Sequence, residues 1–230
     1  MMKAYNLGDL LHLFDPTLPI GGYTHSNGLE TYVQNGLVNN KDSASKFVQH
    51  MLQFNMKYND AAFMRLAYEA TKEKDIVELL LLDNECSALK AAREIRQASQ
   101  KLGLRLIKIF KRKIQDPFLE VYEEKIKSGE ADTHYCVVFG LIAQLLHIPE
   151  KEALFAYYYN AAVGMVTNAV KLVPLGQLDG QDIIFSLNNL LELLTEETME
   201  LDRNLVGLCN VAFDIRCKQH ERLYSRLYMS

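Results

Sequence analysis

The side chains that could carry out chemistry are histidines, a serine, cysteines and carboxylates, and their spacing limits the reactions to consider. His25 and Ser26 are adjacent, with Glu30 four positions on, while His134 and His220 stand apart and cysteines occupy positions 86, 136, 209 and 217. No spacing among them marks a nucleophile elbow or a triad, so no serine is paired with a histidine and no catalytic residue is assigned. Cys209, Cys217 and His220 are of types that ligate transition metals, but their spacing is not that of a closed site. Buried free cysteine and hydrogen-bonded histidine are the commoner states, and His134, at the start of a helix, reads as a packing or capping residue. No metal ligand is assigned.

The element that must position His25, Ser26 and Glu30 is the stretch Asp15-Pro-Thr-Leu-Pro-Ile-Gly-Gly-Tyr-Thr-His-Ser-Asn-Gly-Leu-Glu30. Pro16 and Pro19 fix φ and push their predecessors out of the α region, and Gly21-Gly22 opens backbone conformations closed to other residues. The stretch is therefore a shaped loop that ends by launching a helix, with Ser26 or Asn27 as its cap. Asn27 and Glu30 have the spacing of a capping box, which gives Glu30 a purely structural reading. A Gly-Gly turn before a helix can also cradle an anion, yet the GK[ST] ending of a phosphate loop and the dinucleotide spacing are both missing.

Elsewhere the apolar residues recur at helical spacing. Ala44, Phe47, Val48, Met51 and Leu52 form one such face after a start near Asp42-Ser43, and Asn59-Asp60 begins another helix. Asp75 to about Leu102 is unbroken by proline or glycine, Gly103 either ends it or admits a second backbone, a further helix runs from about Leu104 to Ile114, and Asp116-Pro117 to Gly129 has both ends marked. Residues 133–147 make a further helix. The apolar run Ala153–Val170 predicts a long helix for the centre of a bundle or a subunit contact, stopped by Pro174-Leu-Gly176. A helix from Asp179 or Gly180 to near Leu194, another from about Thr195 to Leu205, an irregular 207–213 and a weakly periodic tail complete the chain. The expectation is one all-α domain over 1–230, a bundle of about nine or ten helices without strands.

The 230 residues suffice to bury a core without disulfides, and no apolar window reaches the length of a membrane span. A net charge of −4 gives no attraction to nucleic acid or an anionic membrane, and the basic cluster Lys108, Lys111, Arg112, Lys113 reads as a solvated helix end. The start Met1-Met-Lys-Ala-Tyr-Asn6 lacks the pattern of a secretory leader, and no CxxC pair occurs, so reduced thiols in a cytoplasmic protein are expected.

The run Leu18-Pro-Ile-Gly-Gly-Tyr-Thr-His-Ser-Asn-Gly-Leu-Glu30 resembles the N-terminal signature of the urease accessory protein F (UreF) family. Later blocks resemble it in the same order: Glu94–Gly103, His134–Gly140, Asn168–Gln177 and His220–Ser230. Tyr23 and Tyr228 stand where that family commonly has phenylalanine, and Lys171 where it often has arginine, which puts a planar fork at 171 in doubt.

The resemblance implies a non-catalytic helical adaptor that bridges UreD (also UreH) to the GTPase UreG, coupling GTP hydrolysis to nickel insertion into apo-urease. Nickel would pass through the assembled complex without a stably bound cofactor. By the same resemblance Glu30, Lys171, Gln177 and Gln181 approach one another and face the GTPase. Residues 219–230 form a tail for UreD/UreH, involving Arg222, Tyr224 and Arg226, with Arg226 bracing Tyr32. Phe155 and Tyr159, with Cys209, meet their copies in a homodimer. Two other readings are a small helical hydrolase using the Pro/Gly loop and a nickel-storage or sensing protein.

Overall fold

Capping side chains divide the chain. The computed structural model describes residues 5–229. The four residues that open the leader reading, Met1–Ala4, and Ser230 of the expected tail lie outside the described residues. Asn6 accepts the Gly8 amide and starts α1 (Leu7–Leu13). After the Pro/Gly loop come α2 (Leu29–Gln34) and α3 (Lys41–His50), the latter opened by a reciprocal capping box of Asn40 and Ser43, so it starts slightly earlier than expected. It runs on into a wider π-helical turn, Met51–Met56. Then follow α4 (Asp60–Lys72), α5 (Ile76–Leu89), which is capped by Asp75, and α6 (Arg93–Phe110).

α7 (Pro117–Ser128) has the expected ends: Asp116 accepts the Phe118 amide, Pro117 fills the first turn and Gly129 closes it at φ 80°. α8 (Tyr135–Leu145), α9 (Glu150–Leu172), α10 (Gln177–Met199) and α11 (Val211–His220) complete eleven α-helices, with no strand among the described residues.

The all-helical class is as expected, and several boundaries differ; α6 runs unbroken through Gly103, where a separate helix was expected to begin near Leu104. The predicted continuous helix over 75–102 breaks after Leu89, where the Lys90 ammonium turns to Asp60 at 2.8 Å and the Lys90 carbonyl accepts Arg96. The predicted break near residue 194 is missing, because the Thr195 hydroxyl donates to the Leu191 carbonyl within α10 instead of capping a new helix. Part of the expected irregular stretch 207–213 is already helical, since Asn210 accepts the Phe213 amide and caps α11.

α8 is the core element, buried at nearly every position, whereas the sequence pointed to α9. Gly140 lets α4 cross α8 closely: a Cβ there would collide with the Met64 carbonyl oxygen and approach the Tyr68 nitrogen to 2.9 Å. Gly103 does the same for α6 beneath the α8 N-terminus, where a Cβ would strike the Thr133 carbonyl. That N-terminus is capped from a distance, by Asp83 of α5, whose carboxylate accepts the amides of Asp132, Thr133 and His134 at 2.7, 2.7 and 2.8 Å and the Tyr122 hydroxyl at 3.1 Å. α9 packs against α4, α8 and α10 but leaves one flank open. Among the described residues no helix is long and apolar enough to cross a membrane.

Candidate functional site

The Pro/Gly loop is pinned from two sides. Two asparagines of α9 donate to its ends, Asn160 to the Phe14 carbonyl at 2.6 Å and Asn168 to the His25 carbonyl at 2.8 Å. From α6, Arg105 donates to the Ile20 carbonyl at 2.7 Å, and Gly21, at φ 88°, clears the guanidinium. Asn27 and Gly28 both take positive φ, at 51° and 78°, and swing the chain into α2.

The expected capping box of Asn27 and Glu30 is not formed. Gly28 stands at the cap without a side-chain bond, and the Glu30 amide reaches the Ser26 hydroxyl at 3.5 Å. Glu30 turns its carboxylate the other way, to the C-terminal tail.

There Glu30 is buried, and its oxygens accept the amides of Leu227 at 2.8 Å and Tyr228 at 3.2 Å. His220, also buried, sets Nε2 3.1 Å from Glu30 and Nδ1 2.9 Å from Glu94 of α6. Both ring nitrogens can donate only when the imidazole is protonated. Arg226 donates to the second oxygen of Glu94 at 2.6 Å, the Met229 amide to the Thr24 carbonyl at 2.9 Å, and Gln34 to the Ser225 carbonyl at 3.3 Å. The tail is thus strapped across the loop, α2 and α6 by hydrogen bonds and the Arg226–Glu94 ion pair. Its outward side chains, Tyr224, Leu227 and Met229, are exposed, as is Arg222.

One expected contact is corrected. Arg226 braces Glu94, while the cation over the Tyr32 ring is Arg216, 5.8 Å from its centroid. Glu30 spends its carboxylate on the tail and His220. Lys171, Gln177 and Gln181 are exposed and line a small cleft of about 80 Å³ between the C-terminal part of α9 and the start of α10. Gly180 brings α10 against Val170 there, so that the two amides and the ammonium share one rim. Among the described residues no hydrogen bond or ion pair links Glu30 to any of them.

A larger cleft of about 290 Å³ lies between the Pro/Gly loop, the π-helical turn, the open flank of α9 and the 207–214 segment. Its wall carries His25, whose imidazole is pushed down by burial and by the charges of Lys101 and Arg105, and the Asp60–Lys90 ion pair. Burial works against Lys90 as a cation, but Asp60 prevails and raises it.

Behind the wall, Ser87 donates to Asp132, lies 2.7 Å from His134 Nε2, and the other ring nitrogen is 3.1 Å from the Ser99 hydroxyl, which accepts the Tyr135 amide. These bonds run in one direction if His134 carries its proton on Nε2. Ser87 directs its own proton to Asp132, and the fully buried His134 links Ser87 to Ser99.

Phe155 and Tyr159 are half-buried against the core, Tyr159 edge-on to Phe14 with centroids 6.1 Å apart, and Cys209 is exposed at the cleft. Cys209, Cys217 and His220 do not converge, since His220 is engaged by Glu30 and Glu94 and Cys217 lies buried against Gly28. Among the described residues no group of three histidine, cysteine or acidic side chains is arranged to hold a metal. Sequence reasoning missed Glu94 as the second carboxylate of the clasp, and Asn160 and Asn168 as loop anchors. The spacing of the two asparagines, eight residues apart on one helix face, was the available signal.

What the site geometry offers is recognition: an ordered tail, a rim of amides and a cation, and a loop held rigid between two helices. These features lie on an all-helical protein. The UreF family model matches residues 38–188. The urease accessory protein UreF of Actinobacillus pleuropneumoniae serotype 5b (strain L20) is 50% identical over 224 residues, covering 97% of this chain and 99% of that protein. That of Haemophilus influenzae (strain PittEE) is 47% identical over 225 residues, covering 98% and 96%. The more distant UreF of Lachnoclostridium phytofermentans is 34% identical over 229 residues, covering 96% and 97%. The chain belongs to the UreF family of urease accessory proteins.

Proposed function

We infer that this protein is a non-catalytic adaptor in urease maturation, working in the cytoplasm to bridge UreD/UreH and the GTPase UreG so that GTP hydrolysis and nickel delivery occur at apo-urease. Nickel is cargo in this reading and no cofactor is held. The observation that carries it is the clasp. A tail that reaches the body through Glu30, Glu94 and backbone amides, with Tyr224, Leu227 and Met229 turned outward, is a surface built to be covered. UreD/UreH is assigned to this surface, with Arg222, Tyr224 and Arg226 in the tail and Tyr32 beside it.

The GTPase is assigned to the Lys171, Gln177 and Gln181 rim, whose donors and acceptors can specify a partner by hydrogen bonds without catalysing a reaction. Glu30 serves that face at most through the loop, since its own carboxylate is spent on the tail. Phe155, Tyr159 and Cys209 are assigned to a homodimer contact, which sedimentation at micromolar concentration tests.

The test of the whole reading is nickel-dependent activation of apo-urease in cells that carry the other accessory proteins, with and without this chain. Activity should require the chain, and the chain lacking residues 221–230 should fail to activate. Full activation without the chain would refute the adaptor role.

A further inference from the structure

Three cysteines play no part in the proposed surfaces, and two of them are neighbours. Cys86 of α5 and Cys136 of α8 lie side by side with their sulfurs 3.6 Å apart, both buried and both free thiols. Burial alone would make them inert filler. Their neighbourhood argues otherwise, because Asp60 and Lys90, a nearly buried ion pair with side chains 20% and 12% exposed, sit beside the sulfurs and line the wall of the larger cleft. The cleft brings a water-sized oxidant as far as Asp60 and Lys90, behind which the two sulfurs lie, and the ammonium provides a charge that favours a thiolate. We propose that Cys86 and Cys136 form a redox-active dithiol which hydrogen peroxide converts into an intramolecular disulfide tying α5 to α8.

The two thiols are electrostatically unequal, as such chemistry needs. The hydrogen bond from Cys136 and the charge of Lys90 pull Cys86 down against the opposing effect of burial, whereas burial pushes Cys136 up. Cys86 is then the attacking sulfur and Cys136 the resolving one. The Cys86 thiolate attacks one peroxide oxygen, an S–O bond forms as O–O breaks, and the departing hydroxide takes up the proton that Cys86 released, giving water. Cys136 attacks the resulting sulfenic sulfur, S–S forms as S–O breaks, and the leaving hydroxide takes the Cys136 proton as a second water. Two thiols are oxidised and one peroxide is reduced to two waters. Contraction from 3.6 Å to bonding distance moves the sulfurs together by about 1.5 Å.

The same pair has the spacing to chelate a soft cation, but no third ligand joins it among the described residues and the adjacent ammonium opposes a cation.

The experiment uses the full chain with Cys209→Ser, which removes the exposed thiol, treated with dilute hydrogen peroxide while folded and then denatured in excess alkylating agent. The titratable thiols should fall from three to one, Cys217 remaining, with peptide mapping giving a Cys86–Cys136 cross-link that a dithiol reductant reverses. In Cys136→Ser the reaction should stall at a Cys86 sulfenic acid captured by a 1,3-diketone probe. Three thiols retained in the folded chain, a cross-link that forms only after denaturation, or Cys86 carried to the sulfinic acid while Cys136 stays free would each overturn the proposal. The wild-type mapping decides the matter should the serine variant not fold.

Discussion

At Glu30 one carboxylate receives two part-buried backbone amides and faces a buried imidazole, so its removal strands three partners at once. Replacing Glu30 by alanine should destabilise the protein by about 3 kcal/mol and free the tail. Amide hydrogen exchange at Leu227 and Tyr228 should accelerate in that variant, and unchanged protection there would mean that the tail is held by something else. The sequence presented Glu30 clearly, at the end of a loop signature, but suggested the wrong partner for it. A capping box is a local pattern and reads directly from spacing, whereas His220 and the amides of 227 and 228 arrive from about 190 positions away. No local rule encodes that approach.

The Asp60–Lys90 pair is a second residue-scale case, with a pH signature. Burial acts to raise Asp60, but the charge of Lys90 prevails and holds the carboxyl below its ordinary 3.8. A carboxyl lowered on folding contributes stability that is present above about pH 4 and is lost as pH falls through the folded-state value. The urea midpoint should therefore decline on acidification below about pH 4. Lys90→Met leaves the carboxylate without its partner. It should lose about 3–5 kcal/mol at neutral pH and recover part of that in acid, because protonation then relieves the stranded charge.

For the helices, the informative positions are those where two backbones nearly touch. Gly103 and Gly140 admit the Thr133 carbonyl and the α4 backbone, and neither neighbour is a flexible side chain that can step aside. Gly140→Ala should destabilise by about 2–3 kcal/mol or more through separation of α4 and α8. Thermal unfolding checks this, and a stability equal to that of the unsubstituted chain would contradict the packing described. Most helices were legible because their caps are local: Asp75, Asp116 with Pro117, and Gly129 are all used as their types suggest. The breaks that were not legible are tertiary. Nothing near Lys90 marks a helix end except an aspartate thirty residues earlier, and the π-helical turn at Met51–Met56 leaves no mark in a run that still fits a helical stripe. The choice of α8 over α9 as the core element was likewise invisible, since both are strongly apolar and only the crossing at Gly140 decides between them.

For the molecule as a whole, the polar groups that the sequence reading placed in one patch are engaged in two ways. A single polar patch was expected to unite the proline-glycine loop with the kink after α9. The loop and α2 hold the tail, while Lys171, Gln177 and Gln181 line their own cleft. Two surfaces suit an adaptor better than one, because each can be lost without the other. The most direct measurement is capture by purified UreD/UreH and by UreG, in parallel, of the full chain, of Lys171→Ala combined with Gln177→Ala, and of the chain lacking residues 221–230. The account predicts that the double variant keeps UreD/UreH and loses UreG, and that the truncated chain fails to bind UreD/UreH. A double variant that binds UreG undiminished, or a truncated chain that still binds UreD/UreH, would contradict it.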